Sequence, residues 1–347
     1  MKLSILLPTH NRPDVIPFAI ESLLAQSFTD FELLVCGDGC TDSTGEVVSR
    51  YVATDSRVRW FDLPKGMGLG YANRNTVLRE ARGELIAFMA HDDLVTRDHL
   101  ALLVQAMEDP GAHFVYTDAA WVGRGGTIVP AVFHLQDKVM REEYFANRWS
   151  RLPSSCVMHR REAFEKVGYW NDQMPRGGDL ELWTRIMRAY GTESIRHVTV
   201  LTCLHFRAHW RGDQLAPDTE PVWNQLHEEP GRFSEAMRWP VPEGMVEQEA
   251  FWQRLRSEPE IVPQLRDACR RAVVTYTWHL EQHLSVQRGL PPVAELGKKI
   301  DSLREQKAEL KAKLAERAAK LQRLKEELER VRREGKLPGW LRWLGRK

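Results

Sequence analysis

The chain has 347 residues, 43% hydrophobic and 28% charged, and its 49 lysines and arginines almost cancel 48 aspartates and glutamates to leave a formal charge of +1. That length holds more than one compact core, and so balanced a charge excludes a globally basic binder but says nothing of a local basic patch; no nucleic-acid partner is expected. No apolar run reaches the roughly 18 residues of a membrane span, and "LSILLPTHNRP" near the start is too short and too polar for a secretory leader, which gives the expectation of a cytoplasmic protein.

In chain order, residues 3–7 read as a buried strand and 15–26 as a helix. Residues 31–36 read as a second strand, followed by a helix over 41–55 with Asp42 or Ser43 as its cap. A third strand over 58–63, a helix over 71–82 and a fourth strand over 84–90 come next. Residues 98–109 are helical with Asp98 placed to cap them, and 113–122 return to strand. Strands spaced by helices of this length predict an α/β domain over 1–210, with a mostly parallel sheet flanked by helices.

Beyond it, 211–292 is rich in tryptophan and proline and reads as a helical extension with a long helix over 263–286, where no chemistry is evident. In 293–334, Leu296, Ile300, Leu303, Leu310, Leu314, Leu321, Leu324, Leu328 and Val331 fall on one heptad ladder, with Lys307 and Arg317 on its polar rungs. That pattern reads as a coiled coil, and so a homo-oligomer, or as a solvated single helix. The tail 335–347, "GKLPGWLRWLGRK", is basic and amphipathic, either a packing tail or a weak contact for an anionic membrane surface.

Ligands of such sheets gather beyond the carboxyl ends of the strands. The first strand is followed there by Pro8, Thr9, His10, Asn11 and Arg12, and the second by Gly37, Asp38, Gly39 and Cys40. Lys65, Gly66, Gly68 and Gly70 follow the third, and His91, Asp92 and Asp93 the fourth. Two adjacent carboxylates suit a hard divalent cation shared with a substrate phosphate, or serve as a turn residue and a helix cap. The glycine loop brings backbone amides and a helix N-terminus to a phosphate or ribose, or is simply a loop, and Arg74 and Asn75 lie one turn inside that helix, in reach of a phosphate or base edge. Asp38 reads as an acceptor for a base imide or ribose hydroxyl, or as a turn-forming Asp-Gly. The five cysteines are odd in number and unpaired by spacing, as in a reducing compartment, and a zinc site on Cys36 and Cys40 lacks obvious partners. No G-x-S-x-G or Cys/His arrangement offers a covalent nucleophile.

The order "LLPTHNR", "GDGCTDST", "ANRN", "GELIAFMAHDD" and "GGDLELWTRI" closely resembles the inverting family 2 glycosyltransferases of the GT-A fold, over residues 3–210. The resemblance implies a nucleotide pocket lined by Pro8, Thr9 and Asn11, with Arg12 beside them, Asp38 on the base, and Arg74 with Asn75 on the nucleotide. It makes Asp92 the second carboxylate of the D-x-D motif, holding Mn2+ or Mg2+ on the donor diphosphate, and Asp179 the catalytic base. Three positions depart from the pattern. Ala90 replaces the first acid of D-x-D, so that His91 or Asp93 would take over its ribose contact. Gly37 and Gly178 replace the acids before Asp38 and Asp179. His205 stands where related enzymes supply a further metal ligand, or is a packed core histidine. The implied partners are a nucleotide-diphosphate sugar, foremost a UDP-sugar, and a glycan or lipid-linked acceptor of an envelope polysaccharide, with peripheral contact to the inner membrane face. The competing readings are a catalytically silent GT-A-like scaffold that oligomerises through its coiled coil, and a nucleotidyltransferase, which "PTHNRPD" disfavours because it lacks glycine after the first strand.

Overall fold

The computed structural model describes residues 1–131, 133–146, 152–206, 234–288 and 293–334. Contacts divide the chain into two units, Met1–Val274 and Thr275–Lys347.

The first unit begins with β1 Leu3–Thr9, α1 Ile16–Leu24, β2 Phe31–Asp38, α2 Thr44–Thr54, β3 Val58–Leu63, α3 Tyr71–Leu78 and β4 Leu85–Phe88. β1, β2 and β4 are nearly continuous apolar runs because helices cover both faces of a parallel sheet. After them come β5 Leu94–Val95, α4 His99–Ala106, β6 Phe114–Gly123, β7 Thr127–Ala131, α5 Lys138–Ala146, β8 Val157–Arg160, α6 Ala163–Val167, α7 Gly178–Tyr190 and β9 Ile195–Phe206. α8 Glu247–Ser257 and α9 Ile261–Arg288 follow.

The strands form one sheet in the order β3-β2-β1-β4-β8-β6-β9-β5, with β7 on β6. β3, β2, β1 and β4 are mutually parallel, so their carboxyl ends share one edge, as the alternation predicts. β8 then runs antiparallel between β4 and β6, while β9 is parallel to β6 and antiparallel to β5. The parallel part of this α/β fold is thus concentrated in its first half.

One cap differs from the sequence expectation. Asp98 stands at the N-cap of α4 but makes no capping bond there. Its carboxylate instead accepts from Thr96 Oγ1 at 2.7 Å and from the Arg266 guanidinium at 2.8 and 2.9 Å. An ionic, multidentate partner outcompetes a backbone amide.

The helices after β9 share a core with the sheet. Phe251, Trp252, Ile261 and Leu265 pack with Leu94, Ile128, Leu204, Phe206 and Trp239. Trp252 Nε1 donates to Glu21 at 2.7 Å, and Arg266 Nε donates to the Leu201 carbonyl at 2.8 Å.

In the second unit, α10 Val293–Glu334 is 42 residues long. Leu303, Leu310, Leu314, Leu321, Leu324 and Leu328 are 45–74% exposed along it. Lys313 pairs with Glu309 at 2.6 Å, an i,i+4 contact typical of a charged helix face. The tail 335–347 and the stretch 207–233 of the extension lie outside the described residues. Among the described residues no helix is long and apolar enough to cross a membrane.

Candidate active site

The shared edge of the parallel strands gathers the turns that the sequence singled out. At the end of β1, Thr9 Oγ1 is buried without a hydrogen-bond partner. Asn11 adopts φ 53, which an asparagine tolerates, and its amide group exchanges hydrogen bonds with Thr41. Arg12 N–H donates to Thr44 Oγ1 at 2.8 Å. His10 and His91 lean on the same edge, with Nδ1 of each near the Asp38 and Pro8 carbonyls, at 2.8 and 3.3 Å.

Asp38 organises the glycine loop. Its carboxylate accepts from Lys65 Nζ at 2.5 Å, Gly66 N–H at 2.7 Å and Asn73 Nδ2 at 2.6 Å. Gly70 passes so close, at φ 71, that a Cβ there would lie 2.6 Å from the Asp38 carboxylate. Lys65 and Asn73, which the sequence reading did not assign, therefore share the Asp38 site. Asn75 points away from it: its side chain donates to the Trp170 carbonyl at 2.8 Å and accepts from Trp170 N–H at 3.0 Å, deep in the core. That asparagine fixes Trp170 and offers no group to a nucleotide in this structure.

Asp92 and Asp93 are adjacent but have opposite surroundings. Asp93 is 0% exposed. Its oxygens accept from Ser155 Oγ at 2.5 Å and Phe206 N–H at 3.3 Å, and His205 Nδ1 lies 2.8 Å from Oδ1. Ser155 in turn accepts from Ala90 N–H at 3.0 Å. The expected ribose contact from Asp93 finds no support here, because the carboxylate is wholly engaged inside the protein and anchors the turn. The Asp92 carboxylate has no partner among the described residues, while its backbone carbonyl accepts from Gln248 Nε2 at 3.2 Å.

α7 begins at Gly178 and carries Asp179 in its first turn. Trp170 Nε1 donates to Asp179 Oδ1 at 3.1 Å, and Arg74 Nη1 lies 3.4 Å from the same oxygen. The Arg74 guanidinium rests over the rings of Tyr71 and Trp170, at 4.9 and 5.6 Å, a cation–π seat, and its Nε is buried without a partner. Asp179 remains 28% exposed. Burial pushes its carboxyl above the ordinary carboxylate range, with Arg74 and the Trp170 hydrogen bond pulling the other way.

Two departures from the family pattern have a steric cause. A Cβ at Gly178 would lie 2.6 Å from the Tyr71 ring, whose hydroxyl accepts from Gly178 N–H at 2.9 Å. A Cβ at Gly37 would run into the Trp60 ring. At both positions an aromatic ring fills the space that an acidic side chain would need.

Among the described residues no three His, Cys, Asp or Glu side chains converge to hold an ion by themselves. The two residues expected to hold an ion are linked through Asp93: it follows Asp92 in the chain, and its carboxylate meets His205 Nδ1 at 2.8 Å. Too few protein donors for a closed cage, they suit an ion that completes its shell with substrate phosphate and water. Cysteine contributes no nucleophile: all five thiols are unpaired, and burial pushes Cys36 up to about 12.

Residues 4–168 match the model of glycosyl transferase family 2. Over that stretch the chain is similar to the family. It is 26% identical over 196 residues to the glycosyltransferase TuaG of Bacillus subtilis, assigned to teichuronic acid biosynthesis, covering 54% of this chain and 75% of that one. It is 34% identical over 113 residues to the GalNAc(5)-diNAcBac-PP-undecaprenol beta-1,3-glucosyltransferase of Campylobacter jejuni, covering 32% of this chain and 36% of that one. A Sinorhizobium fredii relative is 37% identical over 134 residues, and this chain spans 15% of its length. In fold, the chain is similar to S. aureus TarS 1-349 in complex with UDP-GlcNAc, with a TM-score of 0.50 at 20% identity, over 60% of this chain and 59% of that one. The shared strand edge is thus that of the GT-A fold.

Proposed function

We propose that the protein transfers a sugar from a nucleotide-diphosphate sugar, foremost a UDP-sugar, to an acceptor hydroxyl with inversion at the anomeric carbon. The observation that carries this reading is Asp179: a half-buried carboxylate of raised pKa, oriented by Trp170 and Arg74. A raised pKa strengthens the carboxylate as a general base, which accepts the acceptor's proton as its oxygen attacks. Asp92 and His205 would hold Mn2+ or Mg2+, which supplies charge neutralisation on the departing diphosphate. The partnerless Thr9 Oγ1 and Arg74 Nε are donors left to a nucleotide at this edge. Asp38 with Lys65 and Asn73 would receive the base, since a network already aligned by charge needs little reordering on binding.

The relatives support the substrate classes. TarS binds UDP-GlcNAc, and the B. subtilis and C. jejuni proteins are named for an envelope polymer and an undecaprenol-linked glycan. A glycan or lipid-linked acceptor of bacterial polysaccharide synthesis follows for this chain. The aromatic rings that occupy the space beside Gly37 and Gly178 favour an adapted active site over a decayed scaffold.

Exposed leucines at heptad spacing on α10 support a homo-oligomer built by that helix, because a lone helix would leave the whole stripe in water. Oligomers would multiply a weak hold of the basic tail on the inner membrane face.

The test is calorimetric titration with UDP, GDP, dTDP and CDP, with and without Mn2+. The expected result is manganese-dependent binding of one nucleotide, UDP. A folded protein that binds none of the four would overturn the transferase reading.

A further inference from the structure

The family match ends at residue 168, yet the turn that carries Asp92 is held by a residue 156 positions downstream of it. Gln248 is buried on α8, and its Nε2 donates to the Asp92 backbone carbonyl at 3.2 Å. The helix that presents it is fixed in place. Phe251 and Trp252 sit in the core beside Phe206 and Trp239, and Trp252 Nε1 donates to Glu21. On the other side of the same turn, Asp93 is anchored to Ser155, His205 and Phe206 N–H. The Asp92 peptide is therefore clamped from both sides, while its own carboxylate has no partner among the described residues.

A two-donor cation site has little tolerance for drift. Productive geometry must be held within about 0.5 Å by groups that are themselves locked. The Asp93 anchor fixes where the turn leaves the strand, and Asp93 N–H holds one edge of the Asp92–Asp93 peptide by donating to the Ala90 carbonyl at 3.3 Å. The hydrogen bond from Gln248 holds the opposite edge, at the Asp92 carbonyl. We infer that Gln248 is a positioning residue of the donor site, and that α8 is a working part of the catalytic unit: its amide orients the Asp92 peptide so that the carboxylate meets a divalent cation bound with a nucleoside diphosphate. This inference rests on the reading of Asp92 as a cation ligand given above.

The experiment measures UDP affinity with and without Mn2+, together with melting temperature, for the full chain, for Gln248→Met and for Trp252→Phe. Methionine keeps the volume of glutamine and loses the donor. Trp252→Phe removes a hydrogen bond from the same helix without touching Asp92. The expected result is that Gln248→Met weakens manganese-dependent UDP binding by about 10-fold or more, the scale on which residues behind a metal ligand act. Manganese-free UDP binding would stay unchanged, and Trp252→Phe would keep full manganese dependence. Should Gln248→Met fail to fold, the shorter Gln248→Asn, which cannot reach the carbonyl, reads the same loss. Unchanged manganese dependence in the Gln248 variant, or equal weakening in both variants, would overturn the inference and leave the donor site standing. Wild-type protein that binds UDP with no manganese dependence would overturn the cation reading itself, and this inference with it.

Discussion

The turn after β4 and the start of α7 solve the same problem differently. Each offers one carboxylate, Asp92 or Asp179, and each must control the position just beside it. After β4 the neighbour is another carboxylate, and it is buried as Asp93 on Ser155, His205 and Phe206 N–H. At α7 the neighbour has no side chain at all, because the Tyr71 ring occupies that space and its hydroxyl takes the Gly178 N–H. A reactive carboxylate is aimed by whatever fixes the residue next to it. The turn uses an internal hydrogen-bond network for this, the helix an aromatic ring.

The comparison breaks most sharply if Asp92 and Asp179 prove interchangeable. Asp179→Asn should lower sugar transfer by about 100- to 10,000-fold, the range for losing a general base, read as UDP release from the donor that the nucleotide panel selects. Asp93→Asn tests the buried network. An amide nitrogen facing Ser155, His205 or Phe206 N–H leaves a buried donor unmatched, which costs about 1–3 kcal/mol and lowers the melting temperature. It should also weaken manganese-dependent UDP binding. Gly178→Ala tests the aromatic wall: its Cβ meets the Tyr71 ring, and overpacking of this kind costs about 1–3 kcal/mol. Transfer should fall as Asp179 is displaced, and nucleotide affinity should hold.

The smallest effect is on pH dependence. Asp179 must be ionised to accept a proton, so transfer falls as pH drops through its raised pKa. Arg74 opposes that raising by favouring the ionised form. Arg74→Met should therefore move the acid limb of the rate profile to higher pH, whereas an unmoved limb would separate Arg74 from the base.

How much of this was legible in the sequence follows the same division. The parallel strands and the positions of Asp92 and Asp179 could be read, because local periodicity and short motifs encode them. Strands such as Leu94–Val95 and Val157–Arg160 are too short to show a period, and their antiparallel placement depends on partners far away in the chain. The inward turn of Asp93 depends on Ser155 and His205, and that of Asn75 on Trp170, 95 residues on. Gly37 and Gly178 look like lost acids until Trp60 and Tyr71 are placed against them. The extension reads as free of chemistry in the sequence because nothing in "EQEAFWQRL" shows that Gln248 reaches the Asp92 peptide.

The most direct measurement compares Asp92→Ala with Asp179→Asn by calorimetry, titrating UDP in the presence of Mn2+. If Asp92 holds the donor and Asp179 acts only on the acceptor, the first variant loses manganese-dependent binding and the second retains wild-type affinity. Wild-type affinity in Asp92→Ala, or its loss in a folded Asp179→Asn, would contradict that division of labour.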